Sequence, residues 1–319
     1  MKVLVPSTVS PESFTGGTED RFIVYDVHAP IPEADRDAEV LVVWQNPAAQ
    51  LAAAAQHLTR LRLVQALASG TDAVTAAGFP ESVQVCSGRS LHDGPVAEHT
   101  LTLLLACIRR LDRLHRAQQS ATWDNEYLHD QASPDSAADY TLAGAGVLIW
   151  GFGSIAAKLA PLLTFLGAKV TGVASTAGSR AGYPVVTEDT ARELLGSTNV
   201  LISLVPASAG TDRLFNSSVF AALPQGSVFI NVGRGSTVDE AALISALEKK
   251  QLRCAAIDVA QSEPLPSTSP LWRLKNLIIT PHIAGNRPQG AAELVGRNLK
   301  ALHAGNKLQN LVVGSAAPK

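Results

Sequence analysis

Few cysteines, no long apolar run and no block of one-signed charge mark this chain of 319 residues. Cys86, Cys107 and Cys254 are odd in number, widely spaced and free of any CxxC pair, which argues against a disulfide framework or a zinc site. All three read as small buried residues, and no metal is expected. The longest apolar runs, such as Leu103–Ile108, fall far short of the roughly 20 residues that a membrane-spanning helix needs. The opening MKVLVPSTVS lacks the apolar stretch of a signal peptide, so a cytoplasmic protein with no membrane partner is expected. Lys and Arg are scattered, the formal charge is −2, and no basic stretch interleaves with aromatics, so no nucleic-acid partner is expected.

What the chain does have is core-forming material, 46% hydrophobic against 17% charged, in a length that favours two domains over one. Over the first 90 residues short apolar strands (Val3–Pro6, Phe22–Tyr25, Val40–Val43, Leu61–Ala66, Val83–Cys86) alternate with helical stretches such as Pro47–Leu58. That rhythm predicts a small α/β unit. Next, Val96, Thr100, Leu103, Leu104, Cys107, Leu111 and Leu114 recur at helical spacing and predict one long helix. Residues 120–140 lose the periodicity and collect Ser, Asp, Asn and Pro, which predicts a loop or wrapped linker. Beyond them come strands Gly146–Trp150, Lys169–Val173, Val200–Val205, Ser227–Val232, Cys254–Val259 and Leu277–Thr280, with helices Ser154–Leu166 and Asp239–Lys249. Repeated β-α-β units with apolar strands imply a parallel sheet covered on both faces. A last helix, near Gln289–Ala304, precedes a short tail.

Gly151-x-Gly153-x-x-Ala156 stands directly after the first of these later strands and opens an amphipathic helix. In a dinucleotide turn the first glycine permits the tight bend, the second admits the pyrophosphate and the third position needs a small side chain. At the end of the following strand an NAD-specific fold would place a carboxylate for the ribose. Here the position falls on Ala174, followed by Ser175, Thr176 and, further on, Arg180. With no carboxylate to repel a 2′-phosphate and an arginine nearby to bind one, NADP is favoured over NAD as cofactor.

Three later strings, FINVGRGSTVDEAALISALEKK, AAIDVAQSEPLPSTSPLW and NLIITPHIAGN, fall at the carboxyl ends of strands, where open α/β sheets collect ligands. With them, and with VAEHTLTLLLACIRRL and LASGTDAV, the sequence resembles the D-isomer-specific 2-hydroxyacid dehydrogenase family. The resemblance places the family's catalytic arginine on Arg234, its glutamate on Glu263 and its histidine on His282, and assigns the nicotinamide carboxamide to Asp258. Cofactor contacts are carried over to Gly151, Gly153, Ser154, Ile155, Ala174, Ser175, Thr176, Arg180, Val205, Pro206, Thr211, Val232 and Gly233. Its substrate-carboxylate loop falls on Ala68, Ser69 and Gly70, which join Arg234 and His282 as expected substrate contacts. The residue chemistry agrees. Reducing a 2-oxo acid needs a proton donor near the carbonyl oxygen and a fixed cation for the carboxylate; an imidazolium stabilised by a carboxylate supplies the first and a guanidinium the second.

The resemblance implies a Rossmann-type, doubly wound parallel sheet for residues 93–284 and a smaller, flavodoxin-like α/β substrate domain from 1–92 and 285–319, hinged near 93 and 285. It implies an NAD(P)-dependent oxidoreductase for a small 2-oxo or D-2-hydroxy acid, acting as a glyoxylate/hydroxypyruvate-type reductase, and a homodimer built on the nucleotide domain. D-3-phosphoglycerate dehydrogenase is the alternative within the family, although QALASGTD supplies no basic residue for a phosphate and Arg89 is the nearest candidate. A dinucleotide-sensing, co-repressor-like binding protein is the alternative from another class, and a catalytically idle homologue a third. Trp44 and Gln45 are expected at the substrate cleft, with His92 and Asp93 near the hinge but away from substrate. His99 is expected to pack or hydrogen-bond on the long helix, and His28, His57, His115, His129 and His303 to be surface residues.

Overall fold

A computed structural model describes residues 1–10, 14 and 19–313. Along the chain run β1 (Lys2–Pro6), β2 (Arg21–Tyr25), β3 (Val40–Val43), α1 (Ala48–His57), β4 (Leu63–Ala66), α2 (Asp72–Ala76) and β5 (Gln84–Cys86). Then come α3 (Asp93–Ile108), α4 (Leu111–Gln119), α5 (Asn125–Ala132), β6 (Gly146–Trp150), α6 (Ser154–Phe165), β7 (Lys169–Val173), β8 (Gly178–Arg180), β9 (Tyr183–Val186) and α7 (Glu188–Leu194). The remainder is β10 (Val200–Ser203), α8 (Ser217–Ala222), β11 (Ser227–Asn231), α9 (Glu240–Glu248), β12 (Leu252–Ile257), β13 (Leu277–Ile279), α10 (Ala291–His303) and β14 (Leu311–Val313). Two compact units result: Met1–His92 with the chain from Arg287 onward, and Asp93–Asn286. Residues 11–13, 15–18 and 314–319 of the expected substrate domain lie outside the described residues.

In the first unit the strands run β14-β5-β4-β3-β1-β2, all parallel except β14, which pairs antiparallel with β5. The order 2-1-3-4-5 is that of a flavodoxin-like sheet. Its strands are buried on both faces because successive residues point to opposite sides. Leu41 and Val43 face α1 residues Leu51 and Ala54, while Val40 and Val42 join α10 residues Leu294, Val295, Leu299 and Leu302 on the other side. Each such buried aliphatic side chain contributes roughly 1.5–3 kcal/mol relative to exposure. A buried amide pair fixes α10 further: Asn298 Nδ2 donates to Gln65 Oε1 at 2.6 Å, and its oxygen accepts the Gln309 N–H at 2.8 Å.

The second unit has the order β13-β12-β11-β10-β6-β7-β9-β8. The chain winds outward from β6 to β7 and β9, then returns to β10 on the other side of β6, the doubly wound arrangement expected. The reversal leaves a crevice at the carboxyl ends of β6 and β10. Val147 and Ile149 pack on α3 and α6, and Leu148 and Trp150 pack toward α8 and α9.

Three local expectations are corrected. The single long helix is two: Arg110 adopts a left-handed φ of 49°, its side chain grips Asp112 bidentately, and Leu111 is left half-exposed rather than in the stripe. The segment 120–140 is not a loop, since it contains α5 and a turn of 3-10 helix at Ala137–Tyr140. Polar anchors replace an apolar stripe there. Asp124 caps α5 through the Tyr127 N–H and receives two hydrogen bonds from Arg113, which also reaches Asp130 and Glu126. The sheet is also not wholly parallel, because β8 and β9 form an antiparallel edge hairpin that the sequence pattern does not announce.

The Arg113 guanidinium, followed by the Tyr127 N–H, holds the Asp124 carboxyl below the usual carboxylate range. A depressed folded-state pKa stabilises α5 above the unfolded value, near 3.9, and that contribution is lost as pH falls through the folded value. Hydrogen exchange is therefore expected to show residues 125–132 losing protection below about pH 4 before the sheet does, and Arg113→Ala to lose it already at neutral pH. Equal protection in wild type and Arg113→Ala would refute the anchoring role.

Candidate active site

At the carboxyl end of β6 the turn is shaped by glycine. Gly151 has a φ of 97°, and a Cβ there would meet the Leu204 carbonyl carbon at 2.7 Å, so the fold itself requires glycine. Gly153 differs, because a Cβ there would meet nothing within 4 Å. Gly153 is also the N-cap of α6 and has no side chain to cap it, so the N–H groups of the first turn, Ser154 and Ile155 among them, face open space. Uncapped donors, the positive end of a helix and an open approach fit a dinucleotide pyrophosphate.

Beside this turn, Ala174 follows β7 and donates its N–H to Val186, while Ser175 and Thr176 are exposed. Arg180, at the end of β8, folds back: Nη1 donates to the Phe152 carbonyl at 3.0 Å and Nη2 to Thr176 Oγ1 at 2.9 Å. A guanidinium and a hydroxyl thus stand together without a carboxylate partner, an arrangement that fits a ribose 2′-phosphate. Across the crevice, Val205 and Pro206 follow β10, and Thr211 Oγ1 donates to the Pro206 carbonyl at 2.8 Å. Val232 and Gly233 follow β11, with Gly233 so close to Val205 that a Cβ would lie 2.6 Å from its carbonyl oxygen.

Arg234 is held by its neighbours. The Asn231 side chain spans the turn, accepting the Gly233 N–H at 3.1 Å and donating to the Arg234 carbonyl at 3.2 Å. Thr237 Oγ1 donates to the same carbonyl at 2.6 Å. Arg234 Nη1 donates to the Gly233 carbonyl at 2.8 Å, which leaves its other N–H groups available. A Cβ at Gly235 would lie 1.9 Å from the Ala260 carbonyl oxygen, so glycine lets the Arg234 loop rest against the loop that carries Glu263. That second loop is pinned in turn: Glu263 Oε1 accepts the Ala260 N–H at 3.0 Å, and Glu240 accepts the Gln261 N–H at 2.8 Å.

Glu263 Oε2 stands 2.7 Å from His282 Nδ1. A carboxylate there makes Nδ1 the protonated nitrogen and leaves Nε2 free for an outside partner. His282 has a left-handed φ of 53°, a rare conformation for a side-chain-bearing residue. Its N–H donates to the Asp258 carbonyl at 2.8 Å. Asp258, only 2% exposed, fixes the rest of the turn: Oδ1 accepts Thr280 Oγ1 at 2.6 Å and the Ile283 N–H at 3.0 Å, and Oδ2 accepts the Ala284 N–H at 3.0 Å. A pocket of about 550 Å³ opens against Asp258, Glu263 and His282, walled by Leu265, Trp272 and Pro281.

One participant gives a weaker signal in the sequence. His99, on α3, places Nε2 3.0 Å from Thr280 Oγ1 and 3.4 Å from Asp258 Oδ1. Because the Thr280 hydroxyl donates to Asp258, it must accept from His99. The expectation that His99 hydrogen-bonds is met, but its reach into this turn spans 181 positions of sequence.

In the first unit, Ala68, Ser69 and Gly70 follow β4, and their N–H groups have no acceptor among the described residues. A Cβ on Gly88 would lie 2.0 Å from the Leu67 carbonyl oxygen, so this loop too is braced by a close backbone approach. Trp44 stacks on His92 at 5.2 Å between centroids, and His92 Nε2 is 2.8 Å from the Leu67 carbonyl. The three cysteines are buried, as expected. No cluster of His, Cys, Asp and Glu suited to a metal occurs among the described residues, and none of their helices is long and apolar enough to cross a membrane.

Comparison with known proteins agrees with this geometry. Residues 101–284 match the family model described as "D-isomer specific 2-hydroxyacid dehydrogenase, NAD binding domain". Glyoxylate/hydroxypyruvate reductase A of Salmonella paratyphi B is 32% identical over 290 residues, covering 86% of each chain. Among solved structures, a D-isomer specific 2-hydroxyacid dehydrogenase family protein from Aeromonas salmonicida is 26% identical and aligns over 98% of each chain with a TM-score of 0.81. A family member from Xanthobacter autotrophicus, solved with NADPH and MES, is also 26% identical, over 98% of this chain and 97% of that one, with a TM-score of 0.76. With sheet order, glycine turn and sequence in agreement, the chain belongs to the D-isomer specific 2-hydroxyacid dehydrogenases, NAD(P)-dependent oxidoreductases that act on a CH–OH group.

Proposed function

We propose that the chain reduces a small 2-oxo acid of the glyoxylate and hydroxypyruvate class, with NADPH as its preferred reductant. The observation that carries this reading is the 2.7 Å pair of Glu263 and His282, which leaves Nε2 free at the carboxyl edge of the sheet. When bound, the nicotinamide supplies a hydride to the carbonyl carbon. His282 delivers a proton from Nε2 to the carbonyl oxygen and takes it back in the reverse direction. Glu263 holds the ring through Nδ1. Arg234 engages the substrate carboxylate and polarises the carbonyl. The free N–H groups of Ala68, Ser69 and Gly70 are assigned to that carboxylate on the family resemblance. Asp258 retains one acceptor site on Oδ2 for the carboxamide, since the structure gives that oxygen one partner.

Support for the substrate class comes from the Salmonella reductase, and support for NADPH from the Xanthobacter complex together with Arg180 and Thr176. A phosphoglycerate reading is not favoured, because the Ala68–Gly70 loop carries no cation and Arg89 is an exposed residue. We further propose a cytoplasmic homodimer. Its support is the family resemblance and an apolar groove between α4 and α5, where Trp123 is 81% exposed. A chain that sediments as a monomer at micromolar concentration would remove the dimer.

The deciding experiment follows A340 with NADPH and NADH against glyoxylate, hydroxypyruvate, pyruvate and 3-phosphohydroxypyruvate. The expected result is turnover of the first two, with His282→Ala lowering kcat by about 10²–10⁴-fold, the usual worth of a positioned acid. Arg180→Ala is expected to raise the KM for NADPH about tenfold and leave that for NADH unchanged. Tight dinucleotide binding without turnover of any acid would instead favour a sensing, co-repressor-like role.

His99 is proposed as a positioning residue, acting on His282 through Thr280 and Asp258. His99→Leu removes one hydrogen bond, so kcat should fall about fivefold while the KM for NADPH stays put. His99→Gln, which keeps a donor at the same reach, should restore the rate. A change in KM alone, or no rescue by Gln, would refute this role.

A further inference from the structure

The first unit holds a pocket of about 390 Å³, lined by one face of α1 from Ala49 to His57, by Pro47 before it and by the chain that follows β2. It shares no residue with the Arg234, Glu263 and His282 set. Its walls include Val27, Ile31 and Ala54, all buried aliphatic side chains, and no Asp or Glu lines it.

Two buried side-chain donors on its wall, Gln50 Nε2 and Arg36 Nε, have no acceptor among the described residues. Asn46 settles the orientation of Gln50. The Asn46 oxygen accepts the Trp44 N–H at 2.9 Å, so its Nδ2 is the donor, to Tyr25 Oη at 2.7 Å and to Gln50 Oε1 at 2.8 Å. Tyr25 in turn donates to the Val42 carbonyl at 2.8 Å, and burial raises its phenol above the ordinary range, so it remains a donor. The Gln50 oxygen is thereby turned toward Asn46. Its Nε2 has no acceptor, although the residue is only 9% exposed. Arg36 lines the same pocket, with its buried Nε equally unpartnered and no ion pair among the described residues. The Ala49 N–H, in the first turn of α1, has no acceptor either, and the N-cap Pro47 offers no side-chain cap. A buried donor without an acceptor is unfavourable, and a helix N-terminus beside a guanidinium favours an anion.

We infer that this pocket is a second ligand site, which takes a small carboxylate carrying an apolar body. The Arg36 guanidinium, the Gln50 amide and the α1 N–H groups suit a planar carboxylate, and the aliphatic walls suit a hydrocarbon group. A bare, strongly hydrated oxyanion would leave those walls wet.

Calorimetry on the full chain tests this, with phenylacetate as probe, benzyl alcohol as its neutral counterpart and inorganic phosphate as the bare anion. To separate this site from carboxylate recognition by Arg234, the titrations are repeated on Arg234→Gln. Phenylacetate is expected to bind both forms, benzyl alcohol neither, and phosphate more weakly than phenylacetate. Arg36→Gln should weaken phenylacetate at least about tenfold, as loss of a charge-assisted hydrogen bond does. Ala53→Trp, which fills the pocket and leaves Arg36 intact, should abolish binding, with thermal melts confirming that both variants fold. Absence of binding, binding lost in Arg234→Gln, or binding unchanged in both pocket variants would each overturn the second site. Phosphate binding as tight as phenylacetate would overturn the ligand class.

Discussion

A buried carboxylate governs the geometry of the site. Asp258 directly follows β12 and is buried, where an unpaired charge is costly, and it is satisfied by a hydroxyl and two backbone N–H groups of the turn that follows β13. Those bonds, with the His282 N–H on the Asp258 carbonyl, hold a backbone conformation that a histidine rarely adopts. The turn is held because its hydroxyl and N–H groups satisfy the buried carboxylate. His282 then needs only Glu263 to fix its ring through Nδ1, which leaves Nε2 free.

The same economy of space recurs where neighbouring loops touch through backbone rather than side chains. Gly233 lies against Val205, Gly235 against Ala260 and Gly151 against Leu204, each too close for a Cβ. Four adjacent strand ends, those of β6, β10, β11 and β12, are thereby drawn into one edge that includes the point where the sheet order reverses. Gly153 stands apart, because nothing in the protein demands its small size. The open space beside it and the uncapped first turn of α6 fit an anion.

How much of this was legible in the sequence depended on the kind of force involved. The apolar strands buried on both faces announce themselves, since hydrophobic periodicity is their cause, and so both sheets and the glycine turn could be read directly. What escaped was held by polar contacts at a distance. Residues 120–140 looked like linker because α5 is fastened by Arg113 and Asp124, not by an apolar stripe. Leu111 and Leu114 seemed to continue α3, and only the left-handed backbone at Arg110 shows that they begin another helix. The β8–β9 hairpin is short, Gly-containing and on an edge, where burial leaves little pattern to find. His99 could be read as a hydrogen-bonding residue, but nothing local names Thr280 and Asp258 as its neighbours.

That edge hairpin separates two tasks within one unit. Arg180 hangs from it, tied to the glycine turn through the Phe152 carbonyl and to Thr176, and the surrounding loop is exposed. Arg234, Glu263 and His282 sit on loops interlocked by Asn231, Glu240 and Asp258, where close backbone contacts leave little room for change. A charge altered on the hairpin meets mainly solvent. A side chain altered in the interlocked loops disturbs several neighbours at once. The hairpin can thus vary on this scaffold while the turn that carries His282 is held by its own packing.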